Sequence, residues 1–275
     1  MDYLKVILNK SKWTSFAASI LILSQFLIYL LIVYFVSPED LGFFALANSI
    51  IIIPLGLIEF SFNSSLIHEE NPQPKDFRSV LTLNVIAATV FLILSLLMGI
   101  ILSAFYGETQ LWLLVLCLSP SLFFCAFNSV HIAGLKKELR FDTLSKLEII
   151  STLFGFTVGL YLILLHLGIW ALVFSMVVRF GIMTFLIVWK KHLYCTFKLE
   201  QNKTVLIKHY DFGKFIIGEK GLSSLLSYFD VFLVGSFLGV GVLGIYDVIK
   251  KIVLRPILVL YTAVENVVFP LLSNA

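Results

Sequence analysis

Eight apolar stretches, each long enough to cross roughly 30 Å of hydrocarbon as a helix, constrain this chain more than any other feature. They fall at about 13–36, 41–67, 79–104, 111–135, 145–166, 168–189, 214–238 and 241–270. Backbone in lipid must satisfy its own hydrogen bonds, so the expected fold is all-α, a polytopic bundle of about eight membrane helices. The first stretch, Trp13 to Val36, carries no charge. It is longer than a signal-peptide core and lacks a small-residue cleavage site, so it reads as a retained helix. The fifth and sixth are split only by His166, Leu167 and Gly168, a tight hairpin. Hydrophobic residues make up 59 % of the chain and charged residues 13 %, against roughly 25 % charged in soluble domains. That balance excludes a cytosolic enzyme, a disordered chain, a collagen and a disulfide scaffold.

Placement of Lys and Arg sets the expected orientation. Fifteen of the 20 basic residues lie before the first span or around the 2–3, 4–5 and 6–7 connections. The opposite loops, 37–40, 105–110, 166–168 and 239–243, hold none. Both termini are therefore expected in the cytoplasm, with the chain in a plasma membrane. The outer loops are too short to form a catalytic domain. The longest connection, about 190–213, is cytoplasmic on this reading. Within it, Thr204 to Phe212 mixes apolar residues with Lys208, His209 and Asp211 at roughly helical spacing. A short helix on the membrane surface is expected there, with a solvated loop as the alternative.

Residues 35–56 and 237–258 match at a constant offset of 202. Phe35 aligns with Phe237, Leu41 and Gly42 with Leu243 and Gly244, and Pro54 with Pro256. Lys12 and Trp13 align with Lys214 and Phe215. Six helices separate equivalent points, so this is a parallel repeat, chance similarity of two apolar hairpins being the competing reading. The repeat divides the chain into a six-helix lobe with its linker, 1–212, and the first two helices of a second lobe, 213–275.

Ionisable residues at membrane depth mark candidate sites by default. Arg179, Lys250 and Lys251 lie near the midplane of their spans, and Arg255 slightly deeper. At 100° per residue, Asp247, Lys250, Lys251, Arg255, Thr262 and Glu265 share an arc of about 160°. On the seventh span, Glu219, Lys220, Ser223, Ser227 and Asp230 share one face, and on the second so do Asn48, Gly56, Glu59 and Asn63. These stripes are expected to face a cavity or one another. One reading is a set of structural ion pairs, such as Asp247 with Lys250 or Lys251. The other is an anionic ligand, because three cations on the eighth span face Asp247 as their one nearby anion. On that reading Arg179, Lys250, Lys251 and Arg255 bind substrate. Glu219, Asp230 and Asp247 then carry coupling ions or pair with the cations.

Other features are plainer. Ser151, Gly155 and Gly159 form a small-residue face suited to close helix packing, and Pro54 and Pro256 are expected to bend their helices. The five histidines are scattered. Cys117, Cys125 and Cys195 lack metal or disulfide spacing. No phosphate-binding loop or catalytic motif is present. No cofactor, metal or nucleic acid is implied.

Several short runs occur in a specific order: SPEDLG from Ser37 to Gly42, Phe105 with Tyr106, LRF from Leu139 to Phe141, and GIWAL from Gly168 to Leu172. DxxLVG from Asp230 to Gly235, LGxxxLGxY from Leu238 to Tyr246, and Phe269 with Pro270 complete the series. Through these the chain resembles the polysaccharide transporter family, which includes the lipopolysaccharide and O-antigen flippases. That family lies within the multidrug/oligosaccharidyl-lipid/polysaccharide exporter superfamily. The resemblance implies two six-helix bundles around a central cavity in a bacterial inner membrane. It also implies export of an undecaprenyl-diphosphate-linked oligosaccharide by alternating access. The implied partners are that lipid-linked oligosaccharide, membrane lipids and other polysaccharide-assembly membrane proteins. Members have 12 to 14 helices, so the resemblance implies a truncated member: a fragment, a prematurely stopped gene or a half needing a partner. A drug or peptidoglycan-precursor exporter of the same superfamily is one alternative. A membrane-embedded polymerase or ligase is another, although such enzymes carry a large periplasmic loop and the loops here are short. A transporter rather than an enzyme is therefore expected.

Overall fold

A computed structural model of the chain describes residues 20, 23, 24, 26, 27, 30–195, 200 and 202–254. Within them the fold is all-α. The helices are α1 (Pro38–Phe60), α2 (Asn63–His68), α3 (Pro74–Tyr106), α4 (Gln110–Leu118), α5 (Pro120–Lys137), α6 (Phe141–Leu164), α7 (Trp170–Trp189) and α8 (Lys203–Leu238). Residues 240–254 form a further helix, α9, and residues 30–35 are also helical. Six spans are long and apolar enough to cross a membrane: Pro38–His68, Pro74–Tyr106, Gln110–Lys137, Phe141–Leu164, Trp170–Trp189 and Lys203–Leu238. These match the second to seventh expected spans. Half of the first expected span and the end of the eighth lie outside the described residues, as do Arg255, Pro256, Thr262 and Glu265.

Local chemistry places the helix ends. The SPED run is a helix start: Ser37 Oγ accepts the Asp40 N–H at 3.1 Å, with Pro38 in the first turn. At the head of α3 the Asp76 carboxylate accepts the Gln73 N–H at 2.7 Å in a capping box. Pro120 divides the fourth expected span into α4 and α5. The second expected span is likewise broken near Ser61. There Asn63 Nδ2 donates to the Ile58 and Glu59 carbonyls at 2.9 and 2.8 Å, closing α1 and opening α2. Five residues join α6 to α7, with Gly168 at φ 56°. The small-residue face then works as expected: a Cβ on Gly155 would lie 2.7 Å from the Ser175 carbonyl oxygen.

Two hydrophobic clusters fill the bundle. One gathers Leu46, Ile51, Leu111, Leu118, Leu122 and Val173; the other, toward the Lys- and Arg-rich end, gathers Leu66, Val80, Leu135, Leu147 and Ile187. Outward, α3 presents Ile86, Val90, Ile93, Leu97 and Ile100 at helical spacing. A stripe of that kind suits lipid contact.

The surface helix expected at 204–212 is corrected. These residues are the opening turns of α8, which runs 36 residues without a break, about 54 Å at 1.5 Å per residue. One side of the segment is held by protein through His209, while Ile207, Tyr210 and Phe212 stay exposed. His209 is buried, its Nδ1 lying 2.7 Å from Ser65 Oγ and its Nε2 3.2 Å from Asp76 Oδ1. Gly213 fits against the Phe62 ring. Lys208 pairs with Glu69, and Arg78 reaches Glu200 at 3.5 Å.

At the opposite, charge-poor end, the starts of α1 and α9 touch through their backbones. A side chain on Gly42 would collide with the Val240 carbonyl, and one on Gly244 with the Pro38 carbonyl. The contact is reciprocal: Pro38 and Val240, like Gly42 and Gly244, are separated by the repeat offset of 202.

Candidate substrate cavity

Between α1, α6, α7, α8 and α9 lies a cavity of about 320 Å³, at the lower end of the roughly 300–1,000 Å³ typical of ligand pockets. Phe44, Ile52, Leu55, Phe156 and Phe180 give it apolar walls. Its polar lining is Ser24, together with Asn48 and Glu59 of α1, Thr152 of α6, Ser175 and Arg179 of α7, Tyr228 of α8 and Lys251 of α9. Thus the polar face of the second expected span does turn inward at Asn48, Gly56 and Glu59. Asn63 goes elsewhere: with Ser129 it joins Asn84, whose Nδ2 donates to both at 3.2 and 3.1 Å. That polar knot ties α2, α3 and α5 together within the bundle.

Of the predicted substrate-binding residues, Arg179 and Lys251 both line this cavity. Lys251 is tightly placed. Its Nζ donates to Asp247 Oδ2 at 2.6 Å, one helical turn back, and lies 5.6 Å from the centre of the Phe44 ring. Both members of the pair are nearly buried, with side chains 13 % and 9 % exposed. Arg179 sits midway along α7, its guanidinium 5.8 Å from the Phe180 ring centre. Lys250 points to a different cluster. It donates to Asp230 Oδ2 at 2.5 Å and to the Ser227 carbonyl at 3.2 Å, while Tyr246 Oη donates to the same Asp230 oxygen at 2.5 Å. The other Asp230 oxygen, Oδ1, is buried with no hydrogen-bond partner among the described residues. Glu219 is not brought into either cluster; it is largely exposed and lies 3.6 Å from Lys220.

Asp247 as the one anion near these cations is therefore corrected: Lys250 has a carboxylate of its own. The reason is the hairpin at Gly239, which folds α9 back along α8. Asp230 and Lys250 stand at similar distances from that turn and meet across it. That near-equal spacing about the loop, nine residues before Gly239 and eleven after, was readable in the sequence. Thr152 and Tyr228 carried no such signal, since only the packing of five helices shows that they face one space. His209 and Asp76, far apart in the chain, were hidden in the same way.

Outside the membrane helices, burial pushes the Cys195 thiol up to about 11, and burial also lowers the His192 imidazole. Neither faces the cavity.

A bundle of long apolar helices around a largely apolar cavity that also holds the basic side chains of Arg179 and Lys251 is that of a polytopic membrane protein. Residues 13–275 match the family described as polysaccharide biosynthesis protein, and the chain belongs to that family. It is 24 % identical to the teichuronic acid biosynthesis protein TuaB of Bacillus subtilis, over 98 % of this chain and 56 % of that protein. It is 23 % identical to the amylovoran biosynthesis protein AmsL of Erwinia amylovora, over 76 % of this chain and 54 % of the relative. An uncharacterized membrane protein in the cps region of Klebsiella pneumoniae is 19 % identical, over 97 % of this chain and 55 % of its own length. The chain thus spans about half the length of the curated relatives it matches. No solved structure matches it significantly.

Proposed function

We propose that this chain forms part of a bacterial inner-membrane flippase. Its cargo on this reading is an undecaprenyl-diphosphate-linked oligosaccharide, moved across the membrane by alternating access. The observation that carries the reading is the placement of Arg179 and Lys251, on two different helices, in the lining of one cavity. Guanidinium binds phosphate oxygens as a planar fork and ammonium acts as a point charge. A diphosphate entering the cavity competes with Asp247 for Lys251, and Asp247 recovers the lysine when the cargo leaves. Asp230 holds Lys250 in the same manner, and Arg255 extends the stripe. Glu219, Asp230 and Asp247 are the candidates for ion coupling. The saccharide products in the names of TuaB and AmsL agree with such a cargo. So do the short connections at the charge-poor end, which leave no room for a polymerase domain among the described residues.

In this reading residues 1–212 form the first lobe and 213–275 open the second, with both termini in the cytoplasm. The reciprocal contact of Pro38 and Gly42 with Gly244 and Val240 supports a two-fold relation between the lobes, with its axis along the membrane normal. The test is deletion of the gene in its own organism. Surface polysaccharide should be lost while its lipid-linked precursor accumulates on the inner leaflet. Loss of polymer with no accumulated precursor would place the protein elsewhere in assembly and refute the transport reading.

A further inference from the structure

The cavity carries one charge that a diphosphate cannot use. Glu59, near the C-terminal end of α1, lines the same space as Arg179 and Lys251, yet no hydrogen bond or ion pair reaches its carboxylate among the described residues. Glu148 of α6 lies within electrostatic range of Glu59, Arg179 and Lys136, so a second carboxylate and two cations stand near this end of the cavity. A carboxylate in a partly apolar space only accepts hydrogen bonds and repels like charge strongly where the dielectric is low. The same cavity holds the Thr152 hydroxyl as a further polar group and the flat apolar faces of Phe156 and Phe180. Hydroxyl edges and apolar C–H faces are what a pyranose ring presents.

We propose that Glu59 is a specificity-determining residue, forming a saccharide subsite beside the phosphate-binding cations. It accepts hydrogen bonds from the hydroxyls of the sugar next to the diphosphate and excludes an acidic sugar from that position. The inference rests on the flippase reading and adds to it the chemical class of the first sugar: neutral or amino, not a uronic acid.

The test is equilibrium binding to the full chain in lipid nanodiscs with three probes. These are farnesyl diphosphate, farnesyl diphosphate bearing N-acetylglucosamine, and farnesyl diphosphate bearing glucuronic acid. The unaltered protein should prefer the neutral-sugar probe over the acidic one about tenfold. Glu59→Gln should narrow that preference to within about twofold, chiefly by admitting the acidic probe, and leave binding of bare farnesyl diphosphate unchanged. If Glu59→Gln fails to bind bare farnesyl diphosphate, Glu59→Asp decides: it must keep the tenfold preference. Equal binding of both sugar probes to the unaltered protein, undiminished discrimination in Glu59→Gln, or lost discrimination in Glu59→Asp overturns the subsite. Failure of the unaltered protein to bind any of the three probes overturns the flippase reading itself.

Discussion

Lys251 and Asp247 are worth more as a pair than either is alone. Both are nearly buried at 2.6 Å, and removing one partner of such a pair leaves an uncompensated charge, at a cost of about 3–5 kcal/mol. Asp247→Asn should therefore lower the thermal unfolding midpoint in detergent sharply. The double variant Asp247→Asn with Lys251→Met should recover much of that loss. A double variant as unstable as the single one would show that the pair's charge balance is not what matters. Cys195 gives a second expectation at this scale. Its thiol, raised to about 11 by burial, is almost wholly protonated at neutral pH. Its alkylation should be slow at pH 7 and accelerate as pH rises toward 11, because only the thiolate reacts. A fast, pH-independent modification would contradict its burial. At the residue scale the sequence told which charges lie within apolar spans, since position along such a span is a matter of counting. It did not tell which carboxylate each cation would choose. Lys250 prefers Asp230 on a neighbouring helix to Asp247 on its own, a choice made by the fold of the hairpin.

Among the elements, the contact between the starts of α1 and α9 makes the sharpest demand. Gly42 and Gly244 abut the backbone of the other helix, whereas a Cβ on Gly56 would meet nothing within 4 Å. Gly42→Ala or Gly244→Ala should destabilise the protein by about 1–3 kcal/mol through overpacking. Gly56→Ala should be neutral, or stabilising by up to about 1 kcal/mol, because Ala is the better helix former. Comparing the three by chemical denaturation checks the contact; equal effects at all three positions would refute it. Hydropathy located the spans well because lipid demands long apolar runs whatever the tertiary fold. At 204–212 it placed a helix but missed its extent, because an amphipathic segment looks the same whether it stands alone or opens a longer helix. The burial of His209 against Ser65 and Asp76 ties that opening to the bundle. The break near Ser61 also escaped, since it depends on where the Asn63 side chain turns.

For the molecule as a whole, the distribution of Lys and Arg predicts one orientation. Reporter fusions after Pro38, Glu108 and Val240 should read outside, and fusions after Pro72, Lys137 and Lys203 inside; one reversed reporter would undo the assignment. In that orientation the reciprocal contact of α1 and α9 lies at the outer face, and the cavity with Arg179 and Lys251 lies inward of it. On the reading proposed above, this cavity takes a lipid-linked cargo whose anionic head meets Arg179 and Lys251. The most direct measurement is replacement of Arg179 and Lys251 together by Gln in the gene's own organism. Surface polysaccharide and its lipid-linked precursor would be quantified at equal protein level. The account predicts at least a tenfold fall in surface polymer with accumulation of the precursor. Unchanged polymer in the double variant would contradict it.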